Sequence, residues 1–288
     1  MPDQATEAPM FKPGIYPGLS RDDYYDMRGV TQSRLKPFLR SAAHGRFEML
    51  HPSAPSASME LGTALHKAVL EPARFAGDYV VAPKCDKRTK AGKEEWAAFE
   101  ALNSTKSLMD ADEMDAVSGM ARALHSHPLA GELLKGEGLN EIAATWIDGE
   151  TGLACKGLID RLTRFMGQNL VLDVKSTRDA QPPNDDDSAC AFASDALRFG
   201  YVFQAAFYLD GLNAIQPAER GFWVLAVESE PPHGVAVYEL PEETIAHGRA
   251  QYQLALRRYA EAKKSDSWPG YSCAKHLLNL PKWARGTA

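Results

Sequence analysis

The stretch NLVLDVKST, Asn169 to Thr177, decides how the rest of this chain is read. Leu170, Val171, Leu172 and Val174 spell a buried strand, yet Asp173 and Lys175 set an acid and a base two residues apart within it. Side chains alternate across a strand, so Asp173 and Lys175 share one face and Val174 points to the other. An apolar strand ordinarily avoids charge, because burying it is costly unless it is paired.

The residues before this stretch supply a second acid. GLID ends at Asp160, on a strand expected to run to about Phe165, turn through Met166–Asn169 and pair antiparallel with residues 170–175. A turn centred near Gly167–Gln168 would put Asp160 opposite Lys175 and diagonal to Asp173. Directly opposed side chains lie about 5 Å apart at Cβ and diagonal ones about 7–8 Å. Two anions at that range repel unless a cation intervenes. A hard metal ion between Asp160 and Asp173 accounts for both acids, and a plain Asp–Lys pair at a strand end is the alternative.

Further out, the pattern predicts helices first and strands later. TQSRLKPFLRSAAHGRFEML (31–50) reads as two short helices broken near Ser41, and Ser58 as the N-cap of a helix over MELGTALHKAVLEPARF. Helical periodicity resumes after the basic segment 84–96 and continues to about residue 135. Three strands with tight turns at DGETG and MGQN follow, then an acidic loop (182–188) and a helix over 198–212. GFWVLAVES and GVAVYEL read as two more strands, Pro241 opens a long helix to about Lys264, and the tail YSCAKHLLNLPKWA carries apolar anchors of its own. The expected fold class is therefore α/β (α+β), a central sheet with an antiparallel meander flanked by helices. We expect an extended segment at 1–18 and one domain over 19–288, mainly helical to 135 and sheet-bearing from 136.

Bulk composition narrows the function classes. The chain has 288 residues, 44% of them apolar, and a formal charge of −6 from 38 acidic and 32 basic side chains. That balance argues against a general positive coat but leaves room for a local basic patch. The start MPDQATEAPM lacks the basic and apolar segments of a signal peptide, no apolar run is long enough to span a membrane, and Cys85, Cys155, Cys190 and Cys273 form no C-x-x-C pair. These features point to a reducing cytoplasm and away from a thiolate metal site. There is no G-x-S-x-G, H-E-x-x-H or G-x-G-x-x-G, and the AGK at 91–93 lacks the earlier glycine of a Walker loop, because position 87 is lysine.

Two helices carry further candidates. LGTALH places Gly62, His66 and Val69 along one side of a helix, and QAAFY places Gln204 and Tyr208 at i and i+4. Singly, a helix histidine and two packing residues are the simpler readings. Taken in order, G-x-x-x-H, G-x-x-D, acid-x-Lys and Q-x-x-x-Y, the residues resemble the PD-(D/E)XK nuclease superfamily. Within it the chain is similar to the exonuclease VIII (RecE-type) branch of phage and prophage exonucleases. TQSRLKPFLRSAAH, DKRTKAGKEEWAAF and LNLPKWA add to that likeness, which spans roughly residues 15–285.

The resemblance implies a restriction-endonuclease-like core and a Mg²⁺-dependent exonuclease degrading linear double-stranded DNA 5′→3′ in phage-type recombination. It also implies a homo-oligomeric ring and a single-strand annealing protein as partner. By the same resemblance Asp160 and Asp173 are the metal acids, Lys175 the catalytic lysine, His66 the helix histidine of the branch, and Gln204 and Tyr208 the Q-x-x-x-Y pair. Glu141, before the meander, matches an acid that some relatives add, with a solvent-facing strand glutamate as the alternative.

Mg²⁺ takes octahedral oxygen ligands and keeps several waters, so two carboxylates plus the Val174 carbonyl would suffice. His66, as a ligand directly or through water, would favour tolerance of Mn²⁺. Lys175 would orient water or offset charge on the phosphoryl group, and Gln204 and Tyr208 would position a phosphate or nucleotide. Lys84, Lys87, Arg88, Lys90 and Lys93 are the candidate phosphate contacts, with a solvated face as the simpler reading. An endonuclease or single-strand nuclease of the same superfamily and a non-catalytic DNA-binding module are the competing functions.

Overall fold

The apolar run at 170–174 becomes an inner strand of a six-stranded mixed sheet with helices on both faces. The computed structural model describes residues 12–184 and 190–279, so parts of the expected N-terminal segment (1–11), acidic loop (185–189) and tail (280–288) lie outside the described residues.

In chain order, β1 (Gly14–Tyr16), α1 (Arg21–Asp26), α2 (Gln32–Leu35), a 3₁₀ turn (Lys36–Leu39) and α3 (Ala42–Leu50) come first. They lead into α4 (Ala57–Leu70), α5 (Pro72–Asp78), β2 (Tyr79–Val81), α6 (Lys90–Leu102), β3 (Ser107–Met109), α7 (Ala111–Ser126) and α8 (Pro128–Lys135). The meander is β4 (Gly138–Ile147), β5 (Ala154–Phe165) and β6 (Gln168–Thr177). After it come α9 (Ala191–Phe199), α10 (Tyr201–Ile215), β7 (Gly221–Glu228), β8 (Val235–Glu239) and α11 (Glu242–Ser265).

The sheet order is β1-β4-β5-β6-β7-β8, antiparallel throughout except between β6 and β7. A parallel pair needs a crossover, and α9 with α10 supplies it. Leu170, Leu172 and Val174 pack on one side with Leu65, Met120 and Leu133 from α4, α7 and α8. Val171 packs on the other with Phe203 and Phe207 of α10 and Leu256 of α11. Burial on both faces explains why β6 reads as an apolar run. Among the described residues no helix is long and apolar enough to cross a membrane.

Several expectations are corrected. The β5–β6 turn has two residues, Met166 and Gly167, both at positive φ (48° and 86°), with Phe165 opposite Gln168. Positive φ at both positions fits a tight hairpin whose twist matches that of the strands. Continuing this register puts Asp160 opposite Asp173, not Lys175. The shift is by two residues, so the face each side chain takes is unchanged.

The N-cap of α4 is Ser56, whose Oγ accepts from the Met59 N–H at 3.3 Å, so Ser58 lies inside the helix. The helix expected over 59–75 breaks at Glu71, because Pro72 starts α5. The helix expected over 198–212 is two helices, since Gly200 at φ 74° caps α9 before α10 begins. In the tail Leu277 and Leu278 are 83% and 96% exposed, Tyr271 packs its ring 5.3 Å from that of His44, and Leu280 and Trp283 lie outside the described residues. Just before the tail, the Trp268 ring lies 6.4 Å from those of Phe38 and Tyr259.

Candidate active site

The β5–β6 ladder is regular from the turn as far as Arg161–Leu172, and just beyond it lie the two acids. Asp160 Oδ2 accepts the Val174 N–H at 2.7 Å, so a carboxylate takes the donor that a ladder carbonyl would otherwise accept. Asp173 Oδ1 accepts from Gln204 Nε2 of α10 at 2.7 Å, and its Oδ2 is ion-paired with Lys175 Nζ. Both carboxylates are buried, at 6% and 2% exposure.

Two more elements close on this point. From α4, His66 Nε2 donates to the Val174 carbonyl at 2.8 Å, while Nδ1 lies 3.3 Å from Asp160 Oδ1. A carbonyl only accepts, so Nε2 carries a proton. From β4, Glu141 turns inward at φ 49°, an uncommon backbone state for a residue other than glycine. On one side of it Asn140 donates to the Leu70 carbonyl, and on the other Ile142 packs in the core with Trp146. Strand alternation is thus interrupted at Glu141, whose carboxylate pairs with Arg21 at 2.9 Å. Glu141 is 8% exposed, so the solvent-facing alternative does not hold. Ligand atoms of His66, Glu141 and Asp160 lie within 4.8 Å of one another.

Electrostatics separate the two central acids. Burial pushes both upward. At Asp160 the His66 imidazole, Lys175 and the Val174 N–H outweigh it and hold the carboxyl below its ordinary value. At Asp173 burial, reinforced by the charge of Asp160, prevails over Lys175 and the carboxyl is raised. His66 is raised by Asp160 in spite of burial, and Lys175 by Asp173 and Asp160 in spite of burial. Glu141 is raised by burial and by Asp160, with Arg21 opposing. Such crowding of anions is what a bound cation would relieve.

The model of a family described as a PDDEXK-like domain of unknown function (DUF3799) matches residues 31–278. The chain belongs to this family. A structure named "Putative exonuclease" from Eubacterium rectale is similar at a TM-score of 0.59 and 10% identity, covering 93% of this chain and 99% of the other. That level of identity speaks for the fold alone. SSO0001, at 15% identity over 78% and 75% of the two chains, and VC1899 from Vibrio cholerae, at 8% over 81% and 56%, have TM-scores of 0.30 and 0.22 and carry no argument. No curated protein matches.

The PD-(D/E)XK fold thus brings together six residues singled out from the sequence: His66, Glu141, Asp160, Asp173, Lys175 and Gln204. Tyr208 sits behind them. Its ring fills the space above Gly157, where an added Cβ would come within 2.7 Å of Tyr208 Cε1. The glycine of G-x-x-D therefore makes room for the tyrosine of Q-x-x-x-Y. Gly62, one turn before His66, has nothing within 4 Å of where a Cβ would stand, which leaves the helix surface there open.

The donor set, hard carboxylate oxygens with one imidazole, fits a divalent cation. The Val174 carbonyl, expected as a ligand, accepts from His66 here. Among the described residues the three-residue ligand cluster uses Glu141 and His66 beside Asp160, whereas the oxygens of Asp173 are held by Gln204 and Lys175.

Sequence reasoning missed Arg21, Lys36 and Tyr201. Lys175 Nζ lies 5.1 Å from the centroid of the Tyr201 ring, and Lys36 donates to the Phe199 carbonyl just before it. Neither Arg21 nor Lys36 has a local signal, because each meets its partner more than 100 residues away. Lys84, Lys87, Arg88, Lys90 and Lys93 stand apart and exposed. Lys87 lies over the Trp96 ring and Lys90 is 3.8 Å from Glu94, away from the site's acids. Tyr208 also lines a cavity of about 680 Å³, whose charged liners are Arg28, Arg34, Lys156 and Lys263.

Proposed function

We propose that this protein is a Mg²⁺-dependent DNA exonuclease that also accepts Mn²⁺ and hydrolyses phosphodiester bonds of linear duplex DNA from the 5′ end. The observation that carries the nuclease reading is the pair of buried, opposed carboxylates Asp160 and Asp173 with Lys175 ion-paired beside them. The polarity, the duplex preference, a role in phage-type recombination, a ring-shaped homo-oligomer and an annealing partner rest on the resemblance to exonuclease VIII. A cytoplasmic location rests on the cysteine usage.

Asp160, with Asp173, Glu141 and His66 around it, would hold the cation, and the Val174 carbonyl would join them by giving up its bond from His66. The bound ion would polarise the scissile phosphate and lower the pKa of a water. Every other part of the work falls to the chain. Gln204 fixes the Asp173 carboxylate through Oδ1, leaving Oδ2 to Lys175. Lys175, kept protonated by both acids, presents an ammonium where negative charge grows on the phosphoryl oxygens. Tyr208 buttresses β5 at Gly157, three residues before Asp160. Arg34 and Lys263 on the lining of the 680 Å³ cavity suit a polyanion, as do Lys84–Lys93 at longer range.

The test is digestion of a linear duplex, a closed circle and a single strand with Mg²⁺ titrated in. Loss of the linear duplex alone, with mononucleotides released from 5′-labelled ends, is the expected result. Cutting of the circle would make the protein an endonuclease, and cutting of the single strand alone a single-strand nuclease. Binding without any cutting would leave a DNA-binding module.

A further inference from the structure

The helix break at Gly200 leaves a half-exposed aromatic side chain one ring away from Tyr201, which carries the site lysine. Phe199 closes α9 with 45% of its surface exposed, and only Phe192 of that helix is buried. The Phe199 ring lies 5.9 Å from that of Tyr201 at an interplanar angle of 31°, and Tyr201 in turn carries Lys175 at 5.1 Å. A line of rings therefore runs from the site lysine to solvent.

Two further cations flank the outer ring. The Arg198 guanidinium is 5.2 Å from the Phe199 centroid. Lys36 crosses Gly200 so closely that an added Cβ would meet its Cε at 2.7 Å, and its ammonium ends on the Phe199 carbonyl. Among the described residues Lys36 has no ion pair. Burial and the nearby charge of Lys175, opposed by Asp173, bring its pKa down to about 8. The Lys36 ammonium thus closes the C-terminal end of α9 and stands next to a ring that is 45% exposed although Arg198 lies over it. A phosphate beside Lys36, joined to a base flat enough to stack on Phe199, would use the ammonium and the exposed part of the ring together.

We infer that Phe199 and Lys36 form a seat for one unpaired nucleotide beside the bond to be cut, the ring stacking its base and the ammonium contacting its phosphate. This rests on the nuclease reading above and adds to it: the strand end enters the site with a base pair already opened. Every base has a π-face, so the seat is indifferent to sequence. Stacking on one aromatic ring is worth roughly 1–3 kcal/mol, or about fivefold to a hundredfold in affinity. Lys36 adds one phosphate contact, about 0.7 in the slope of log affinity against log salt for a single strand.

The experiment uses the full chain with Ca²⁺ and a set of oligonucleotides carrying 2-aminopurine at successive positions from the 5′ end. Wild-type protein is expected to change the fluorescence sharply at one position. Phe199→Ala should abolish that change and weaken binding about tenfold, and Phe199→Trp should restore both. Lys36→Ala should keep the fluorescence change and lower the salt slope by about 0.7. Phe47→Ala, an exposed ring on α3 that stacks on His51, serves as the control and should alter nothing.

Phe199→Ala with unchanged fluorescence and affinity would overturn the seat while leaving cleavage by the wild type untouched. Wild-type protein that binds these oligonucleotides but cuts no DNA with Mg²⁺ or Mn²⁺ would instead sink the nuclease reading, and the fluorescence would still report on the seat. Failure of the wild type to bind any DNA would remove both.

Discussion

The acid cluster at the end of the β5–β6 hairpin and the basic run from Lys84 to Lys93 are opposite solutions to carrying charge. At the cluster each charge is nearly buried and held by a named partner: Asp173 by Gln204 and Lys175, Asp160 by His66 and the Val174 N–H, Glu141 by Arg21. In the basic run the side chains stand in water, with a ring contact at Lys87 and a 3.8 Å pair at Lys90. Surface pairs of that kind contribute little, and salt screens them. The contrast teaches that position is what the buried charges supply, whereas the exposed ones supply only a field. A change in the first region should alter chemistry or folding, and a change in the second should alter affinity alone.

The largest expected effect comes from removing one buried charge without changing its shape. Asp173→Asn should lower cleavage by roughly a thousandfold or more while the protein still folds and binds DNA. Turnover on a linear duplex with Mg²⁺ measures it. Near wild-type cutting would move the chemistry away from this acid and erase the contrast.

Next in size is the support behind the cluster. Gly157→Ala puts a methyl group within 2.7 Å of the Tyr208 ring, between a strand and a fully packed helix. Overpacking of this kind costs about 1–3 kcal/mol. Thermal melting should show the loss, and cleavage should fall with it because β5 carries Asp160. Unchanged melting would mean that the ring has room to move and that the cluster is less tightly backed than the geometry states.

Lys156 sharpens the comparison, since it is a buried lysine with no chemistry to do. Its ammonium donates to the carbonyls of Tyr24, Tyr25 and Met27 at 2.7, 3.0 and 2.6 Å, closing the C-terminal end of α1. Lys156→Met leaves those carbonyls without their partner, at about 1–3 kcal/mol. Urea denaturation should register that loss, while kcat of the folded protein should be far less affected than by Asp173→Asn. A variant as inactive as Asp173→Asn would show that burial by itself, and not contact with the acids, sets the effect.

The smallest change is expected in the exposed run. Replacing Lys87, Arg88 and Lys90 with Ala should leave melting unchanged and weaken DNA binding about equally across sequences. Each phosphate contact removed should lower the salt slope by about 0.9 on duplex DNA. An unchanged slope would make the run a solvated face and send the DNA past the cavity lined by Arg34 and Lys263.

The strands of the meander, the long C-terminal helix and the face taken by Asp173 were legible in the sequence, because a period of two or 3.6 is a local property of the chain. His66, Asp160, Lys175 and Gln204 were legible as a set because, in order, their motifs resemble those of the PD-(D/E)XK superfamily. The register was not. Whether Met166–Gly167 or Gly167–Gln168 forms the turn depends on which backbone tolerates positive φ, and that choice alone decides whether Asp160 faces Asp173 or Lys175.

Tertiary structure also settled what no window of sequence contains. Arg21 meets Glu141 across 120 residues, Lys36 meets Phe199 across 163, and the Val174 carbonyl turns to His66 across 108. Such contacts follow from how α1, the 3₁₀ turn and α4 are pressed onto the sheet by apolar packing, which is non-directional and says nothing about which polar atoms it will bring together. The chain's own residues thus named the chemistry, and packing chose the partners that hold it in place.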